Sequence, residues 1–347
     1  MRDPAPTDLD EVLSPAWLSE ALSRPGAPVK VAGSRIVQRL QNSATKIRFE
    51  VDFDIPPPDG VRSYCVKGFF GDTYNLGGPN SPTEARYYLE IQAGSAVRTP
   101  DCPYAGINET TQHGIILMHD MVAKGGRFLT ALEPYSADQA ASSLDQLARL
   151  HAEDWGGQRL GRFGWLGNRF EIMGDKPWLP LDILQGLMDG PRRAPLDPAI
   201  CSAERIHGAF VALGPVAHRQ PQCLVHGDAH AGNVWEMDGQ AGLIDWQLLQ
   251  RGSWAIDVAY HIGSSLTPEA RRASEQPLLK HYLERLRAHG AEPPAWDDAW
   301  FAYRTHIAYG YLLWAITRRV DPPIILEFVK RLGLAVSELE TFELLGV

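Results

Sequence analysis

The sequence predicts an α+β fold, with a small antiparallel sheet and one main helix in residues 1–121 followed by a mostly helical part in residues 122–347. Three observations predict it. Apolar residues alternate in Lys46-Ile-Arg-Phe-Glu-Val-Asp-Phe, and Ser63-Tyr-Cys-Val-Lys-Gly-Phe-Phe is rich in strand formers. From Ser136 onward the apolar spacing becomes helical. Between Leu224 and Trp246 alone, strand-like pieces interrupt the helices.

The elements follow in order. Ser14 with Pro15 behind it marks the start of a short helix to Leu22, because a proline in the first turn gives up an N–H that has no helical partner. Strands fill Lys30 to Phe70, with a turn at Pro56-Pro-Pro-Asp-Gly60. A loop rich in Gly, Asn and Pro, Gly71 to Pro82, leads into a helix beginning near Glu84. Gly114 to Met121 reads as a short buried strand that ends in polar residues, and the boundary between the two parts is placed there. Ser136 and Gln139 form a capping box, with Leu144, Leu147, Leu150 and His151 on one face of the helix that follows. Further helices are expected at Ala203–Ala212, Trp254–Ser264, Pro268–His289, Asp297–Arg319 and Ile324–Val336. No internal repeat is present.

Composition narrows the function. With 33 basic against 42 acidic residues and a formal net charge of -9, the chain lacks the electrostatic footprint of a nucleic-acid binder. Cys65, Cys102, Cys201 and Cys223 show no C-x-x-C pair or framework spacing and are expected as reduced thiols. No apolar stretch approaches the roughly 20 residues that span a bilayer, and the first residues do not resemble a signal peptide. The expectation is a cytoplasmic protein with no membrane partner; the sequence does not set its oligomeric state.

The chemistry is concentrated in LVHGDAHAGNVWEMDGQAGLIDW, Leu224 to Trp246. Asp228 and Asn233 lie five apart, and Asp245 follows twelve later after an apolar approach. This is the order of a catalytic base and two magnesium ligands in phosphoryl transfer, where the protein mainly positions the acceptor hydroxyl and holds the metal with oxygen ligands. Asp228 is the expected base, and Asn233 and Asp245 the metal ligands. Gly227 and Gly232 permit a tight loop. His226 reads as a loop-bracing residue, while His230 reads equally as a phosphate contact or a loop cap. A second reading makes His226, Asp228 and His230 the cluster of a metal-dependent hydrolase. Two poorly strand-forming glycines and the lack of another histidine pair weigh against it. A non-catalytic nucleotide-binding module is a third reading.

HGDAHAGN resembles the HGD-x-x-x-x-N catalytic loop of the aminoglycoside phosphotransferase and choline kinase-like superfamily, and Leu243-Ile-Asp-Trp-Gln resembles its metal-binding strand end. Gln247 brings the chain nearest the ecdysteroid kinase-like branch. The resemblance implies a protein-kinase-like bilobal fold with ATP in the cleft between lobes and Mg2+ as the metal. It makes Lys67 the lysine on the α- and β-phosphates and Glu84 its helical partner. Against these stand a solvent-facing strand lysine, and a local Ser81–Glu84 capping box. Met118 and His119 fall at the hinge that meets the adenine edge, and Asp257 matches an aspartate that braces the catalytic loop. The loop Leu40-Gln-Asn-Ser-Ala-Thr-Lys departs from the family of protein kinases in lacking G-x-G-x-x-G; Ser43 and Thr45 take its place as phosphate donors.

The expected acceptor is a small-molecule hydroxyl. Trp296, Trp300, Tyr303, His306, Tyr309, Tyr311 and Trp314 crowd one helix and are read chiefly as core; any that line the site favour an apolar or ring-containing alcohol. Asp297 and Asp298 complement a helix start. An aminoglycoside or another antibiotic is the alternative acceptor.

Overall fold

A computed structural model describes residues 3–41, 44–71, 81–194 and 196–347. Ser43 and most of the expected loop Gly71 to Pro82 lie outside the described residues. The chain forms two compact units. The first comprises Met1–Ser95, Thr99–Arg127 and Asp245–Leu248, and the second Ala96–Arg98, Phe128–Ile244 and Leu249–Val347.

The first unit begins with helices α1 (Leu9–Val12) and α2 (Pro15–Leu22), each started by a side-chain cap, Asp8 accepting from the Asp10 N–H and Ser14 from the Trp17 N–H. Strands β1 (Lys30–Gln41), β2 (Thr45–Ile55) and β3 (Ser63–Gly68) follow, then helix α3 (Thr83–Arg86), which continues as a π-turn over Tyr87–Ile91. Strands β4 (Tyr104–Asn108) and β5 (His113–His119) complete a five-stranded sheet of order β1-β2-β3-β5-β4, antiparallel throughout.

The period of two along the strands sorts their side chains onto two faces. Ile47, Phe49, Val51, Tyr64, Val66, Ile115 and Leu117 pack with Trp17, Leu18 and Leu22 of α2 into one buried cluster. Each such side chain contributes roughly 1.5–3 kcal/mol by leaving water. The alternate positions of β2 and β3 carry Lys46, Arg48, Cys65 and Lys67, with Lys46 opposite Lys67 and Arg48 opposite Cys65.

In the second unit, α4 (Ala137–Ala152) starts with the expected box: Ser136 accepts from the Gln139 N–H, and the Gln139 side chain accepts from the Ser136 N–H. Short helices α5 (Arg169–Met173) and α6 (Leu181–Met188) precede α7 (Ala203–His218). Strand β6 (Gln222–Val225) and the hairpin β7 (Val234–Met237) and β8 (Gln240–Leu243) fall in or overlap the predicted strand-like region, whereas β9 (Gln250–Ser253) lies beyond it and was not expected. β9 pairs antiparallel with β6.

Helices α8 (Ala255–Ser265), α9 (Pro268–Ala288), α10 (Trp296–Ile316), α11 (Pro322–Glu338) and α12 (Thr341–Leu345) complete the unit. α10 packs against α7, α8 and α11, and its Tyr303, His306, Tyr309 and Tyr311 are fully buried, so these aromatics are core. Among the described residues no helix is long and apolar enough to cross a membrane. All four cysteines are free.

Candidate functional site

In the first unit the structure gathers Lys67, Glu84 and Asp245. Lys67 leaves β3 on the face opposite the apolar cluster and is only 3% exposed. Its Nζ lies 2.6 Å from Glu84 Oε2 and 2.7 Å from Asp245 Oδ1. The solvent-facing reading of Lys67 is therefore incorrect.

The capping-box reading of Glu84 also fails. Helix α3 has Pro82 at its N-cap and no side-chain cap, while the Ser81 hydroxyl accepts from the Gly114 N–H at 3.2 Å. Glu84 turns inward, where its second oxygen accepts the Trp246 N–H at 3.2 Å. Tyr87 stacks on Trp246, ring centroids 3.8 Å apart, and fixes the segment that carries Asp245.

Asp245 has φ +69, in the left-handed region that Asp tolerates better than most residues. Burial alone would push its carboxyl up, but Lys67 and Lys46 outweigh burial and hold it well below the usual carboxylate range. For Glu84 burial prevails over the lysine and raises the carboxyl. Burial would lower Lys67, yet the two carboxylates raise it, so it stays charged. An ionised carboxylate oxygen is the hard donor magnesium takes, and Asp245 fits that role.

Lys46, assigned no role from the sequence, places its Nζ 3.2 Å from Asp245 Oδ2. Strand alternation puts it on the Lys67 face, and the β2–β3 register puts it opposite Lys67. Thr45, next to it, is buried opposite Gly68. Met118 and His119 do not join this cluster. The His119 N–H is donated to Asp101 O at 2.9 Å, and its ring lies against Asp101 and Asp59. That N–H is therefore already engaged within the sheet unit. Arg48 is held by Asp120, with Nε 2.9 Å from Oδ2.

In the second unit the segment after β6 turns sharply at Gly227, whose φ of +79 strains any residue with a Cβ. Asp257 of α8 fixes the turn. It accepts the His226 N–H at 2.7 Å and the Gly227 N–H at 2.8 Å, with His151 Nε2 3.1 Å away. Tyr309 donates to Gly227 O at 2.9 Å. His226 is part of the same scaffold, its Nδ1 accepting the Asp228 N–H and its Nε2 donating to Ile244 O.

Asp228 is held on both oxygens. Tyr260 donates to Oδ1 at 3.1 Å, and Asn233 Nδ2 donates to Oδ2 at 3.0 Å and to the Asp228 carbonyl at 2.9 Å. Because only the amide nitrogen can donate, these bonds turn Asn233 Oδ1 away from Asp228, which suits a metal ligand. His230 accepts the Gly232 N–H at 3.0 Å and caps the turn Ala231–Asn233. Its ring lies edge-on to Trp314 and Phe328.

Both ring nitrogens of His226 are thus spent on backbone groups, so although His230 Nε2 lies 3.8 Å from Asp228 Oδ1, His226 does not join them as the third member of a hydrolase cluster. Among the described residues no group of three or more His, Cys, Asp or Glu is arranged to hold a metal ion. Sequence reading missed Tyr260, which lies three residues after Asp257 and hence on the same helix face. A cavity of about 530 Å³ in this unit, lined by Asn168, Phe170, Phe210 and Gly214 among others, includes none of the predicted site residues.

Residues 201–292 match the model of the ecdysteroid kinase-like family. The fold is similar to that of a candidate aminoglycoside phosphotransferase from Ralstonia eutropha JMP134, with TM-score 0.54 and 17% identity over 94% of this chain and 96% of that one. It is also similar to a candidate fructosamine-3-kinase from Thermobifida fusca YX-ER1, with TM-score 0.50 and 17% identity over 95% and 97%. No curated protein matches by sequence. The expected α+β, protein-kinase-like fold and the likeness to the ecdysteroid kinase-like branch therefore hold.

Proposed function

We propose that the protein is an ATP- and Mg2+-dependent phosphotransferase acting on a hydroxyl group of a small molecule. The observation that carries this reading is the buried set Lys67, Glu84 and Asp245, with Lys67 within 2.7 Å of both carboxylates. An ammonium that is nearly out of water and fixed by two carboxylates suits the polyphosphate of a nucleotide.

Magnesium, when bound, supplies charge neutralisation at the transferred phosphoryl group. In the first unit Asp245 would offer it oxygen, and Glu84 holds Lys67 toward the phosphates. Asp228 would accept the acceptor hydroxyl's proton. Its two hydrogen bonds, from Tyr260 and Asn233, fix the orientation of the carboxylate for that task.

An acceptor panel with ADP release as the readout tests the reading, with apolar and ring-containing alcohols in one arm and aminoglycosides and other antibiotics in the second. Acceptor-dependent ADP release that is lost in Asp228→Asn, while that variant still binds nucleotide, is the expected result. A folded protein that binds neither ATP nor ADP contradicts it.

A further inference from the structure

We infer that Lys46 controls access to Asp245, withholding that carboxylate from a free divalent cation and releasing it when nucleotide phosphates arrive to take up the Lys46 ammonium. This rests on the phosphotransferase reading and adds to it an order of entry, in which the metal comes in with the nucleotide and not before it.

The register, the ion pairs and the exposure of the two lysines support the inference. Lys46 and Lys67 stand directly opposite one another in the β2–β3 register, an arrangement of like charges that costs stability. Their ammonium groups are reconciled by sharing Asp245, Lys67 on Oδ1 at 2.7 Å and Lys46 on Oδ2 at 3.2 Å. A locally unfavourable pair kept in place by a third residue points to function more than to stability.

The two lysines also differ in freedom. The Lys67 side chain is 3% exposed and has Glu84 as a second partner, whereas that of Lys46 is 25% exposed and has Asp245 as its ion-pair partner. Lys46 is the one able to swing toward a solute. It is also the last residue of the segment Leu40–Lys46, which lacks the glycine pattern, so its charge supplies what phosphate-binding backbone N–H groups would otherwise provide. Lys46, Lys67, Glu84 and Asp245 sum to zero formal charge when ionised, two positive against two negative. A divalent cation entering alone would face two ammonium groups at one carboxylate, whereas one entering with phosphates would not.

The experiment measures two affinities on the full chain: ADP by calorimetry without metal, and free Mn2+ by electron paramagnetic resonance without nucleotide. Lys46→Met is expected to weaken ADP binding about tenfold, as for a lost charge-assisted contact, and to strengthen Mn2+ binding severalfold. Lys46→Arg is expected to keep ADP affinity within about twofold of the wild type, because the charge is retained. Thermal melting confirms that each variant is folded, and Lys46→Gln serves if the methionine variant is not. ADP binding by the wild type with unchanged ADP or Mn2+ affinity in Lys46→Met overturns the role of Lys46 alone. No ADP or ATP binding by the wild type overturns the nucleotide reading together with it.

Discussion

Tyr260 donates its hydroxyl to Asp228 Oδ1 across 3.1 Å, from a side chain that is 1% exposed. Burial first, and then the Asp228 charge, push the phenol well above its usual range, so it remains a donor. The bond fixes the rotamer of the proposed base. Tyr260→Phe keeps the ring and removes only the hydroxyl, so kcat is expected to fall about tenfold with little change in KM for the nucleotide, as for one hydrogen bond to a charged group. Steady-state kinetics check this; an unaltered kcat would show that Asp228 is oriented without Tyr260.

The turn before Asp228 depends on a buried carboxylate. Asp257 is fully buried and accepts the N–H groups of His226 and Gly227, with His151 as its third partner. Asp257→Ala strands these donors out of water and is expected to cost about 3–5 kcal/mol. Asp257→Asn places an amide NH2 where one of them points and is expected to lose activity while retaining more of the stability. Urea unfolding followed by fluorescence measures both, and a cost below about 1 kcal/mol for the alanine variant, the net worth of a single ordinary hydrogen bond, contradicts the bracing role.

Acid should begin to destabilise the second unit at pH values where most carboxylates are still ionised. Burial lowers His261 and His306 to about 4 each. Their unfolded counterparts take up protons near 6.5, so between about pH 6.5 and 4 the unfolded state binds more protons and stability falls as pH falls. Two such groups give a slope of up to about 2.7 kcal/mol per pH unit within that window. His306→Gln should remove about half of this slope. Denaturant midpoints at several pH values test it, and a slope unchanged by the substitution would mean that other groups take up the protons.

The legible parts of the sequence were those where local chemistry and tertiary packing agree. Ser14-Pro15 and the Ser136–Gln139 box start helices where expected, and α8 to α11 begin within two residues of their predicted starts. Ser81-Pro-Thr-Glu84 shows the opposite case. Its local pattern is a capping box, but an ion pair with Lys67 offers a buried carboxylate more than a backbone N–H does, and Glu84 faces inward. Helices α5 and α6 escaped notice because five and eight residues are too few to establish a period. Lys46 and Tyr260 escaped for a different reason. Each acts on a residue distant in sequence, Lys46 on Asp245 and Tyr260 on Asp228, and only the strand register or the helix face brings them there.

One glycine ties the sheet to the position of Glu84. A Cβ added at Gly114 of β5 would lie 2.5 Å from Ser81 O and 2.9 Å from Pro82 Cα, both backbone atoms at the entrance to α3. Neither atom belongs to a flexible side chain, so Gly114→Ala must displace the start of the helix and with it Glu84, two residues beyond Pro82. The expected cost is roughly 1–3 kcal/mol of stability, as for other overpacked sites, accompanied by weaker nucleotide binding because Lys67 loses a fixed partner. Gly33→Ala serves as the control, since a Cβ there meets nothing within 4 Å. Melting temperature and ADP affinity measured on both variants separate the effects. Equal behaviour of the two would show that α3 can shift without consequence for Glu84.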